Sequence, residues 1–117
     1  MSRSVSVGKN LVPDAKTVMY TVPDGYIGKW SLLYALNGTA SAKDFNSWWY
    51  DKSTDTEIYI THDYSITAAN FLKFDGGAYI ILEEGDEIRV KIESGATNAS
   101  CVVTLELEPK SPTKFND

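Results

Sequence analysis

The sequence predicts an all-β domain: a single antiparallel β-sandwich of about eight strands, jelly-roll-like in its winding. Three observations predict it. Short runs rich in Val, Ile, Thr, Tyr, Phe and Trp alternate with period two, as a pleated, half-buried strand does. Gly, Pro, Asn and Asp punctuate these runs at roughly the 8–12-residue spacing of sandwiches and barrels. No long stretch repeats with a helical period.

Residues 1–15 carry little pattern. Val5, Val7, Leu11 and Val12 fit an edge strand or a short N-terminal arm, and an arm is the division adopted. The sandwich then covers 16–109, and 110–117 form a flexible C-terminal tail. Residues 17–22 are the first clear strand, with Val18, Tyr20 and Val22 on one face and Thr17, Met19 and Thr21 on the other. Pro23-Asp24-Gly25 ends it: Pro suits the second turn position and Gly takes positive φ without strain. Residues 29–36 place Trp30, Leu32, Tyr34 and Leu36 together, and Asn37-Gly38 is a strong turn signal.

Residues 45–50 put Phe45, Ser47 and Trp49 on one face and Asn46, Trp48 and Tyr50 on the other, so both faces carry a large aromatic. Residues 57–61 direct Ile58 and Ile60 inward and Glu57, Tyr59 and Thr61 outward. Residues 62–65 read as loop, with Ile66 as a core anchor. Strands over 70–74 and 78–82 flank Asp75-Gly76-Gly77. After the turn Glu83-Glu84-Gly85-Asp86, residues 87–92 send Ile88, Val90 and Ile92 inward. The last strand, 100–108, buries Cys101, Val103, Leu105 and Leu107 and stops at Pro109.

The chain has 117 residues, enough for one domain and one core. With 3 Trp, 7 Tyr and 4 Phe it has aromatics for that core and some to spare for a partner. Its formal net charge of −5 argues against a nucleic-acid partner, which needs clustered Lys and Arg. The single cysteine, Cys101, permits no intrachain disulfide and reads as a buried small hydrophobe. The first residues lack the apolar run of a signal peptide, and no segment approaches a membrane span, so no membrane partner is expected.

Residues that could carry chemistry do not assemble into a pattern. His62 is the only histidine, and a nucleophilic site needs a base, a nucleophile and an orienting group. The acidic run Glu83-Glu84-Gly85-Asp86-Glu87 could draw a calcium ion, but it lacks EF-hand spacing and reads as a turn. No zinc-type cluster or phosphate-cradling loop is present in the sequence. The expectation is a protein without cofactor or catalytic activity.

Trp48-Trp49-Tyr50 is the most suggestive cluster. It fits aromatics covered by the domain itself, anchors for a protein partner, or a platform for a sugar ring. Trp48 and Tyr50, with Met19 as an adaptable contact, are the candidate interface residues.

Three segments carry a resemblance: residues 18–25 (Val-Met-Tyr-Thr-Val-Pro-Asp-Gly), Asn37-Gly38-Thr39, and residues 82–90 (Leu-Glu-Glu-Gly-Asp-Glu-Ile-Arg-Val) ahead of a small-residue loop and a final strand. Over residues 16–108 the chain resembles the small β-sandwich virion proteins of tailed bacteriophages. These occur as capsid decoration (cement) proteins, head fibres, and neck or tail modules. The resemblance implies a capsid decoration protein, assembled in the host bacterial cytoplasm and carried on the virion. It implies binding to the major capsid protein or another virion protein, stabilisation of the head, and a homotrimer. The alternatives are a neck, tail or fibre module, and a carbohydrate-binding module.

Overall fold

Two antiparallel sheets pack face to face in the computed structural model, which describes residues 2–75 and 79–110. Their strands are β1 (Arg3–Asn10), β2 (Thr17–Thr21), β3 (Tyr26–Asn37), β4 (Lys43–Asp51), β5 (Thr56–Ile66), β6 (Asn70–Phe74), β7 (Ile80–Leu82), β8 (Glu87–Ile92) and β9 (Ser100–Pro109). One sheet has the order β1-β9-β3-β6, with β7 also on β3; the other has the order β2-β8-β4-β5. The protein is thus an all-β sandwich.

The pairing is nested, as when one long hairpin is rolled over. β4 pairs β5 at the tip. β3 then pairs β6 and β7, β2 pairs β8, and β1 pairs β9. β6 and β7 act as two halves of one interrupted edge, lying along Leu33–Asn37 and Gly28–Trp30 of β3 respectively.

The core is the interdigitation of the two inner faces. β8 contributes Ile88, Val90 and Ile92, and β9 contributes Cys101, Val103 and Leu105, all with no exposed surface. Phe45 and Leu82 are equally buried. Burial of apolar surface, worth about 25 cal/mol per Å², is what holds the layers together.

Two polar side chains tie the loops to this core. Asn37 is fully buried, although the sequence marks it as a turn residue. Its Nδ2 donates to the carbonyls of Ser41 and Ile66, and its Oδ1 accepts from the Thr39 N–H. Asn37-Gly38 therefore starts a crossing between sheets, not a two-residue hairpin. Gly38 is required by close approach: a Cβ there would lie 2.6 Å from the Asn98 carbonyl oxygen. Asp86, 1 % exposed, accepts from Trp49 Nε1, the Lys52 N–H and the Glu83 N–H. One carboxylate thus closes the β4–β5 and β7–β8 turns against each other.

The structure departs from expectation in four places. The arm over 1–15 is replaced by an edge strand at Arg3–Asn10, because β9 presents a free ladder to it from Ser100 to Leu107. That strand raises the number from about eight to nine. β5 continues through residues 62–65, expected as loop, because a bulge lets the ladder resume at Tyr64. Asp63 takes a φ of 50° at that bulge, and its N–H is bonded by Asn46 Oδ1 at 2.7 Å. Bulges also reset the alternation of β2 and β3, with consequences for the exposed faces described below. Of the expected tail, residues 111–117 lie outside the described residues, as does residue 78 of the expected strand over 78–82.

Candidate functional site

The expected interface residues are split between the two faces of one sheet. Trp48 and Tyr50 point outward from β4. Met19 does not join them. It is the extra residue of a bulge between Val18 and Tyr20, which turns it into the core at 2 % exposure. Its expected role as an adaptable surface contact is therefore corrected: the side chain is core packing.

Trp48 lies on the outer face yet is only 6 % exposed, because neighbouring side chains roof it. The Lys16 ammonium sits 4.4 Å from its ring centroid, and the Tyr59 ring lies beside it at 5.4 Å. The Arg89 guanidinium lies 3.8 Å from the Tyr50 ring centroid. Glu57 binds both cations, at 2.8 Å to Lys16 and 2.8 Å to Arg89, and Glu87 takes the other side of Arg89. Partial burial works against the Glu57 charge, but the bonds from Lys16 and Arg89 outweigh it and hold the carboxyl below its usual range. The result is a closed cation–aromatic lattice. Trp49 faces the other way, packed against the core with its indole N–H on Asp86. Trp49 and Tyr50 are both partly open, but of the two only Tyr50 lies on the outer face.

The second face carries what the sequence reading missed. Alternation placed Trp30 with Leu32, Tyr34 and Leu36. A bulge between Trp30 and Leu32 breaks that set. Trp30 turns inward beside Leu33 and Ala35, while Leu32, Tyr34 and Leu36 turn outward and stay partly exposed. Phe71 of β6, opposite Leu36, stacks on Tyr34 with ring centroids 5.1 Å apart and is 50 % exposed. Val102 of β9 completes an apolar patch on the outer face of the larger sheet. The polar end of the same face is the Lys29–Glu108 ion pair at 2.9 Å.

A third feature is an open groove of about 310 Å³ where the two sheets part, lined by Trp30, Leu33, Ile60, Phe74, Tyr79 and Ile80.

The groups weighed for chemistry are not brought together. Cys101 is enclosed in the core of one sheet, and burial pushes its thiol up to about 12. His62 is exposed on β5, against the Tyr59 ring and 3.5 Å from the Asp63 carboxylate. The acids of residues 83–87 turn to separate partners: Glu84 to the Gly25 N–H and Lys110, Asp86 inward, Glu87 to Arg89. Among the described residues no three His, Cys, Asp or Glu side chains are grouped to hold a metal, and no helix is long and apolar enough to cross a membrane.

Compared with known proteins, the chain matches no protein-family model and no curated protein.

Proposed function

We propose that this chain is a structural component of a tailed-bacteriophage virion, a decoration protein that binds the outer capsid surface and braces the head. The observation that carries the proposal is the apolar outer face formed by Leu32, Tyr34, Leu36, Phe71 and Val102. Such a face on a small domain has the composition of a docking surface: aromatic at the centre, with a charged end supplied here by Lys29 and Glu108. The nested two-sheet winding supports the resemblance to virion sandwiches on architecture alone. Affinity at each docking site would be modest, and many simultaneous attachments would supply the bracing.

The carbohydrate-binding alternative loses its platform, because Trp48 is roofed and Trp49 faces the core. Neck, tail or fibre placement uses the same surface with fewer copies.

The test is to quantify the chain against the major shell protein in purified particles, alongside reconstitution with a Phe71→Lys variant. A copy number comparable with the shell subunit, and loss of binding by the variant, is the expected result. A few copies per particle would place the chain in the neck, tail or fibre. Absence from the particle would overturn the virion reading.

A further inference from the structure

A sandwich has four lateral edges, and unpaired edges invite pairing with another chain unless something blunts them. Among the described residues three of the four are blunted. β1 carries Arg3, Gly8 and Lys9. β2 has five residues and a bulge. β6 and β7 are short, with five and three residues, and β6 carries Lys73. β5 is different. It too is bulged, at Ile60 and again near Asp63, but residues 56–59 keep a regular register with β4. The segment Thr-Glu-Ile-Tyr-Ile, residues 56–60, has no Pro, Gly, Lys or Arg and is rich in β-branched and aromatic residues. Its one charge, Glu57, is already matched by Lys16 and Arg89.

The core beside β5 is also incomplete. Ile58 and Tyr64 pair with the inward-facing Trp49 and Phe45 and so point to the core side, yet they are 40 % and 47 % exposed. Among the described residues the opposite layer leaves them open. Phe74 and Tyr79, at the edge of that layer, are exposed too and line the open groove with Ile60. Both layers therefore end in uncovered apolar side chains on the same side of the molecule.

We propose that this side is a self-association surface, in which β5 pairs antiparallel with β5 of a second copy about a twofold axis through Ile58. Three constraints select that register. Opposed residues of an antiparallel pair lie on the same face, so the twofold must fall on a residue. Centring on Glu57 would oppose two like charges, which is unfavourable. Centring on Tyr59 would set outward Glu57 against Thr61, which the bulge at Ile60 turns inward to its bond with Ser47. Centring on Ile58 sets Ile58 against Ile58, Glu57 against Tyr59 and Thr56 against Ile60, with matched faces and no like-charge pair. The two smaller sheets become one continuous sheet, and the grooves of the two copies close against each other. A twofold contact of this kind is isologous and stops at two copies. It is independent of the docking face around Phe71.

Sedimentation equilibrium on the full chain over a wide concentration range tests this. The expected mass is twice the monomer's 13.0 kDa. Ile58→Lys would bring two ammonium groups together at the axis and raise the dissociation constant by at least about a hundredfold. Phe71→Lys is expected to leave it unchanged. Folding of each variant is checked by circular dichroism. As a second readout, Ile58→Cys is expected to form a disulfide-linked dimer under mild oxidation, since directly opposed strand residues lie within disulfide reach. Glu57→Cys, not opposed to itself, is expected not to. A wild-type chain that stays monomeric at every concentration, or a dimer lost on Phe71→Lys and kept on Ile58→Lys, would overturn the proposal. So would a trimer.

Discussion

The indole N–H of Trp30 donates to the carbonyl oxygen of Leu32 at 2.9 Å, across the bulge that separates them. This single bond holds the point at which β3 changes which face it offers to which layer. On one side of it Trp30 enters the core. On the other, Leu32, Tyr34 and Leu36 emerge as the apolar surface of the larger sheet. The apolar outer face thus depends on a local backbone irregularity fixed by a core side chain.

Replacing Trp30 with Phe keeps most of the ring and removes the donor. The lost hydrogen bond and the smaller ring are expected to cost about 1–2 kcal/mol together. A chemical denaturation curve should show a lower midpoint with unchanged slope. Amide exchange at Leu32 and Leu33 should quicken more than exchange in β8, because the bulge loses its pin.

Asp86 is expected to be among the most sensitive polar positions. Asp86→Asn keeps size and shape but places an NH₂ group where N–H donors already converge from Trp49, Lys52 and Glu83. A donor facing a donor in a buried site costs on the order of 2–3 kcal/mol. Asp86→Ala strands three donors and should cost more. A thermal melt with either variant checks this; a change of less than a degree or two would mean that water substitutes freely for the carboxylate.

Strand positions were largely legible in the sequence, because alternation over 87–92 and 100–108 has only one compatible geometry when one face is buried. Face assignment failed where bulges intervene. Met19, Ser31 and Ile60 each add a residue that resets the period of two, and nothing in the local composition marks them. The edge strand Arg3–Asn10 was faint for another reason: at a sheet edge only Val5 and Val7 are drawn toward the core. Asp86 read as a turn aspartate, which its bond to the Glu83 N–H supports. Its bonds to Trp49 and Lys52 come from the neighbouring strand β4 and the turn after it, more than 30 residues away in the chain, and have no local signal. The Tyr34–Phe71 stack joins strands more than 30 residues apart in the chain and was invisible for the same reason.

Cys101 should be inert to thiol reagents in the folded protein and react only on unfolding, since burial keeps its proton on to about 12. The same shift has a stability consequence. Above the thiol's ordinary value of 9.0 the unfolded chain releases this proton and the folded chain keeps it. Unfolding is then favoured as pH rises, by about 1.4 kcal/mol per pH unit from this group. The stability advantage of wild type over Cys101→Ala, measured by denaturation at increasing pH, should therefore shrink above that value. A constant difference would show that the thiol ionises equally in both states.

The lattice over Trp48 should respond to acid. Glu57 has a depressed folded value, so its contribution is present above its unfolded value of 4.5 and lost as pH falls through the folded one. Glu57→Gln should therefore lower stability at neutral pH, by about 1 kcal/mol for a partly exposed pair of ion contacts, and the difference from wild type should close at low pH. Lys16 is held over Trp48 in part by Glu57, so the variant should also loosen the roof. Quenching of Trp fluorescence by acrylamide reads that directly. Increased quenching in Glu57→Gln with an unchanged fold is the expected outcome. Unchanged quenching would mean that Tyr59 alone shields the ring.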